Sequence, residues 1–145
     1  MISLLLITAI DEPYYFVADA YYASGKIIKG LSHDNHLIAR AKSNAVAYCP
    51  FVQTGVRKHR GRPRTYGPKR ALRSLYDDPS AMISAASPVY GEEQVTLAYR
   101  VSDLLWRPAG RLVRFVLVIH PTRGRCILMS TDTSLDALEI IRLYG

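Results

Sequence analysis

The stretch "PYYFVADAYYASGKIIKGLSHDNHLIARAK", Pro13 to Lys42, decides the fold class. Its first ten residues form an aromatic and β-branched run with a proline at the edge, which predicts a buried strand ending on Asp19. Ser24 can cap a short helix through "GKIIKGL", with Gly30 near its end. His33 to Asn35 then turn the chain into "HLIARAK", where Leu37, Ala39 and Ala41 alternate with Ile38, Arg40 and Lys42. Strand, helix, strand is the unit of a parallel sheet with a crossover, and the expected class is α/β.

Downstream the pattern changes. From Cys49 to Arg70 regular periodicity is lost, and glycine and proline punctuate the segment. Four runs follow: "AMISAAS", "VTLAYRVSDLLWR", "RLVRFVLVIH" and "RCILMSTD". Turn signals at Pro88 to Glu93, Pro108 to Gly110 and Pro121 to Gly124 separate them, which predicts an antiparallel meander. Lastly "SLDALEIIRLYG" carries Leu135, Leu138 and Ile141 at helical spacing, with Ser134 as the expected cap of a helix of about three turns.

The 145 residues suffice for one domain with a real core, and 49% hydrophobic with 21% charged residues is the balance of a folded chain. A net charge of +7 favours a polyanionic partner. Cys49 and Cys126 are far apart and have no Cys or His at ligand spacing, so a reduced, cytoplasmic protein is expected, with neither a disulfide framework nor a zinc site. The opening "MISLLLITAI" is too short to span a bilayer and lacks the cationic start of a signal peptide, so no membrane role follows. It reads as the end of a buried helix or strand.

Asp19 is the sharpest chemical feature. It ends an apolar strand that leads into a helix, where open α/β sheets place functional groups. A carboxylate among apolar and aromatic residues needs a metal, a cation or several donors to offset its desolvation. Asp132 also ends an apolar strand, but "STDTS" around it reads as capping material. His33, His36 and His120 give no Ser-His-Asp or Cys-His spacing, and the glycines form no phosphate-loop or dinucleotide fingerprint.

The charge is concentrated in one place. Between Asp34 and Asp77 lie ten Lys or Arg residues and no carboxylate, most of them in "RKHRGRPRTYGPKR", Arg57 to Arg70. "RGRPR" has the Arg-Gly-Arg-Pro core of the minor-groove elements called AT-hooks. Gly61 permits close approach, Pro63 keeps the chain extended, and Arg60, Arg62 and Arg64 can enter a narrow groove. Arg57, Lys58, Lys69, Arg70 and Arg73 are placed to meet phosphates. DNA is the expected partner.

Three blocks together resemble the catalytic domain of bacterial insertion-sequence DDE transposases. They are "FVADAYYASGKIIKGL" followed by "HLIARAKSNAVAY", then "RGRPRTYG", then "VRFVLVIHPTRGRCILMSTDTSLDALEIIRLYG". The resemblance runs from Tyr15 to Gly145 and implies a ribonuclease H-like fold whose carboxylates hold Mg²⁺ for DNA strand cleavage and joining. In that frame the strand-helix-strand order makes Asp19 the second metal-binding Asp. The first Asp falls upstream of Met1 and the Glu beyond Tyr144. Glu139 comes more than a turn too early, and Asp132 falls at a variable strand end.

The resemblance therefore implies a partial core, truncated at both ends, with residues 49–93 as a basic insertion. Alone, such a chain holds Mg²⁺ weakly, since one carboxylate cannot position two ions, and does not cleave DNA. Its partners would be DNA and a full-length transposase or another copy of itself. A stand-alone DNA-binding module is the second reading. A structural relic is a third, and a complete small nuclease using Asp19, Asp132 and Glu139 a fourth.

Overall fold

Aromatic and β-branched side chains at Tyr15, Phe16 and Val17 give the first strand, β1 (Tyr15–Ala18), in a computed structural model that describes residues 15–19, 28, 35–52 and 65–145. The second, β2 (His36–Arg40), lies parallel to it, with Tyr15 opposite His36 and Ala18 opposite Ala39. Parallel neighbours need a crossover. Ile28, helical and buried, lies in that connection and packs in the core that holds Leu37, Ala39, Phe16 and Ala18. The expected parallel pair is present, but β1 ends the strand order with Tyr15 and Val17 exposed, so it is not the buried strand that its apolar run predicts. The remainder of the expected helix from Ser24, and "MISLLLITAI", lie outside the described residues.

The chain continues through β3 (Val46–Pro50), β4 (Tyr66–Ala71), two 3₁₀ turns (Leu72–Asp77 and Pro79–Ala81) and β5 (Ile83–Ala86). Three longer strands follow, β6 (Thr96–Trp106), β7 (Arg111–His120) and β8 (Gly124–Ser130), and then the helix α1 (Ala137–Tyr144). The strands make one mixed sheet of eight, in the order β1-β2-β8-β7-β6-β3-β4, with β5 pairing β6 as well. Strands β5 to β8 form the expected antiparallel meander. Its turns contain Gly91, Gly110 and Gly124, all at positive φ, where an L side chain would be strained.

Two corrections to the sequence reading concern local order. The Cys49 to Arg70 segment is not structureless where it is described: β3 and β4 pair antiparallel, Tyr48 opposite Lys69 and Pro50 opposite Tyr66, with an irregularity between Tyr48 and Pro50. Prolines hid this strand pair. They are tolerated because Pro50 is the last residue of β3 and β4 stands at the end of the strand order. Gly67 allows the close approach, since a Cβ there would lie 2.7 Å from the carbonyl oxygen of Cys49.

The second correction concerns α1, which spans eight residues, about two turns, and is capped by Asp136 rather than Ser134. The Asp136 carboxylate accepts the Leu138 N–H at 3.1 Å. Ser134 is engaged elsewhere, because its hydroxyl donates to Asp132 at 2.5 Å. The nearer anion wins the serine.

The sheet buries both faces. On one, Leu37, Val113, Phe115, Leu117 and Met129 pack with Ile28 and with Leu72, Leu75 and Tyr76 of the first 3₁₀ turn. On the other, Ile38, Val116, Val118 and Leu128 meet Ala137, Ile140 and Ile141 of α1. Two covered faces explain why β2 and β7 lack a polar alternation. Cys49 and Cys126 are both free thiols.

Candidate functional site

Asp19 follows directly on β1, exposed at the strand's C-terminal end. Phe16 and Ala18 pack into the core that contains Ile28, so the alternation turns Tyr15, Val17 and Asp19 toward the face that α1 covers. Because Ala18 stands opposite Ala39, Asp19 is level with Arg40, the last residue of β2. The far end of α1 comes to the same place. Burial pushes the Tyr144 phenol pKa up; the Arg40 charge opposes this, and those of Cys126 and Asp19 add to it. A carboxylate, a guanidinium and a phenol therefore converge where the parallel pair ends, the usual position for function in an α/β sheet.

Asp132 and Glu139 lie elsewhere. The pairing of Ile38 with Ser130 brings Asp132 to the level of His36, at the start of β1. Tyr15 Oη donates to Asp132 Oδ2 at 2.6 Å, and the Ser134 N–H donates to Oδ1 at 3.0 Å. Burial favours protonation of Asp132, but the Ser134 and Tyr15 donors outweigh it and hold the pKa at about 2. The same contact with Asp132 is the first cause that pushes the Tyr15 phenol up to about 12. From Tyr15 to Asp19 the strand covers roughly 13 Å. Glu139 pairs with Arg142 on the exposed side of α1. The arrangement contradicts a complete nuclease centre built from Asp19, Asp132 and Glu139.

Among the described residues no group of three or more His, Cys, Asp and Glu side chains could hold a metal ion. Mg²⁺ demands several oxygen ligands in near-octahedral array. The described side chains by themselves do not fit one.

One buried polar cluster has a structural explanation. His120 Nδ1 accepts the backbone N–H groups of Thr122 and Arg123, each at 3.1 Å, which leaves the proton on Nε2 to donate to Glu92 at 3.0 Å. The Ser87 hydroxyl donates to the other Glu92 oxygen at 2.6 Å and is the chief cause of that carboxyl's lowered pKa. Serine and histidine thus both donate to one carboxylate, and the imidazole does not face the serine as it would in a Ser-His pair. The cluster ties the β7–β8 turn to the 87–95 turn.

Of the basic residues singled out in the sequence, Arg57, Lys58, Arg60, Arg62 and Arg64 lie outside the described residues. Lys69 and Arg70 are exposed on β4, and Arg73 is exposed on the first 3₁₀ turn. Sequence reading passed over Arg40, Lys42 and Arg125, which share a pocket with Arg73. The available signal was the position of Arg40 and Lys42 at the end of the strand that pairs with the Asp19 strand. Arg107 also went unnoticed; its guanidinium lies 4.8 Å and 4.6 Å from the ring centres of Tyr48 and Tyr66.

A family model described as DDE superfamily endonuclease matches residues 1–111, from the first residue through the start of β7. The chain belongs to the DDE superfamily endonucleases. No curated protein and no solved structure matches it. For a DDE endonuclease, DNA is the implied substrate and a divalent metal the usual cofactor. The mixed eight-stranded sheet with few helices is compatible with such a domain. No helix among the described residues is long and apolar enough to cross a membrane.

Proposed function

We propose that this DDE endonuclease chain serves DNA transposition, in the manner of insertion-sequence transposases. The observation that carries the reading is Asp19, past the end of a strand paired in parallel with β2, inside the region that the family model matches. In this reading β1 and β2 are the last two parallel strands of a ribonuclease H-like core, and Asp19 is its second metal-binding carboxylate. The insertion between β2 and α1 then takes in everything from β3 to β8, wider than the 49–93 expected from the sequence. The direction of α1 supports this, since it starts near Tyr15 and runs toward the Asp19 end.

The basic segment from Arg57 to Arg73 binds duplex DNA through phosphate contacts, with "RGRPR" favouring A·T-rich grooves. Metal held at Asp19 needs further oxygen ligands, from a longer polypeptide, a partner copy or the DNA itself. By itself the 145-residue chain binds DNA without nicking it.

The test is fluorescence anisotropy with labelled A·T-rich and G·C-rich duplexes, together with a supercoiled-plasmid nicking assay in Mg²⁺ and Mn²⁺. Submicromolar binding at low salt with no nicking is expected. Absence of binding at 50 mM salt would refute DNA handling. Metal-dependent nicking abolished in Asp19→Ala would replace the binding-only reading with that of an active nuclease.

A further inference from the structure

The end of the sheet where β2 finishes and β8 begins carries a pocket lined by Arg40, Lys42, Arg73 and Arg125 around Tyr76. All four cationic residues are exposed, and the fold fixes the backbone that carries them. The Ala41 N–H donates to the Ile127 carbonyl at 2.8 Å, so the chain leaves β2 against β8 with Arg40 and Lys42 on either side. Tyr76 Oη lies 3.2 Å from the Val118 carbonyl oxygen and 2.6 Å from that of Cys126, which pins the 3₁₀ turn bearing Arg73 across β7 and β8. The Arg125 guanidinium stacks 4.9 Å above the Tyr76 ring centre.

Among the described residues no carboxylate lines this pocket. Among the described residues the ion pairs involve Arg114, His120, Arg123 and Arg142, and none of the four pocket cations. Cations gathered without counter-charge raise the local potential and favour an anion. A second cleft shares Arg40, Arg125 and Cys126 with the first and continues to Tyr144 and to Arg123, whose charge is met there by Glu92 at 3.4 Å. The two form one groove, open to solvent, that passes the level of Asp19. An open groove with spaced cations suits a polymer of phosphates, whereas a single small anion calls for an enclosed nest of donors.

We infer that Arg40, Lys42, Arg73 and Arg125 form a phosphodiester-binding groove that guides the backbone of duplex DNA past the end of β2 toward Asp19. This rests on the DNA-handling reading above and adds contact residues other than those of the Arg57 to Arg64 segment. The groove reads no bases. It fixes the register in which DNA reaches the carboxylate.

Three full-length proteins test it: wild type, a groove variant (Arg40→Gln, Lys42→Gln, Arg73→Gln, Arg125→Gln) and a loop variant (Arg57→Gln, Arg60→Gln, Arg62→Gln, Arg64→Gln). Each is titrated against a labelled 30-base-pair duplex of mixed sequence across a salt series. Losing four phosphate contacts lowers the slope of log affinity against log salt by about 3.6, so the wild-type advantage shrinks roughly 150-fold between 50 and 200 mM salt. A groove variant with the wild-type slope, beside a loop variant with a reduced one, overturns the groove and leaves DNA handling intact. If wild type itself fails to bind, both fall.

A second measurement needs no variant. Acetylation of wild-type Lys42 by a succinimidyl ester, read by mass spectrometry, should slow at least fivefold when the duplex is added. Equal labelling with and without DNA contradicts the groove. So does protection by heparin alone, which would assign the surface to a sulfated polysaccharide.

Discussion

Replacing Asp132 with asparagine separates the structural carboxylate from the functional one. Asp132 accepts from Tyr15 Oη at 2.6 Å, from the Ser134 N–H at 3.0 Å and from the Ser134 hydroxyl at 2.5 Å. Burial works against its charge, yet these donors hold its pKa at about 2 instead of 3.8. A carboxyl whose folded pKa is depressed adds stability that is present above its unfolded pKa, near 3.8, and is lost as pH falls through about 2.

The interval from 3.8 to about 2 corresponds to roughly 2.4 kcal/mol of linkage. The side chain is partly open to solvent, so screening reduces this to about 1 kcal/mol, or about 2–4 °C in Tm for a chain of this size. About two-thirds of the contribution is gone by pH 2.5. Urea unfolding of wild type and Asp132→Asn at pH 5 and pH 2.5 reads it directly. Wild type should be the more stable by about 1 kcal/mol at pH 5, with the gap narrowing at pH 2.5. A gap that is constant across that range refutes the argument. DNA affinity should be the same in both proteins.

Three core substitutions test the packing. Ile140 is fully buried between α1 and the sheet, and Ile140→Ala should cost about 2–4 kcal/mol in urea unfolding. Tyr76→Phe removes the hydroxyl shared by the Val118 and Cys126 carbonyls and should cost about 1–2 kcal/mol at pH 7, measured the same way. Gly67→Ala places a methyl group 2.7 Å and 2.9 Å from the carbonyl oxygens of Cys49 and Pro50, so a loss of about 1–3 kcal/mol is expected from the thermal midpoint.

Much of the architecture was legible where local rules and tertiary packing agree. The β1 to β2 pair followed from two apolar runs bracketing a segment with helical sequence signals, and the meander from turn residues spaced between long apolar runs. β3 and β4 were not legible, because Pro50, Gly67 and Pro68 suppress strand propensity and an edge position tolerates them. The cap of α1 was misassigned because Ser134 and Asp136 are both good capping residues, and only the fold shows Asp132 capturing the serine.

Asp19 was visible as a strand-end carboxylate. The cleft beside it was not, since Arg40, Arg125 and Tyr144 come from three separate segments that meet through the β2–β8 pairing and the packing of α1. That gap is expected for a groove assembled by topology. A run of basic residues announces itself in sequence, whereas cations brought together across strands do not.

The proposed function centres on the end of the sheet that carries Asp19. The most direct measurement is amide NMR of the full chain bound to a short duplex, with trace Mn²⁺ as a paramagnetic substitute for Mg²⁺. The account predicts line broadening centred on Ala18, Asp19, Arg40 and Tyr144, and its loss in Asp19→Asn with the duplex still bound. Broadening centred on Asp132 and Glu139, or a pattern that Asp19→Asn leaves unchanged, would contradict it.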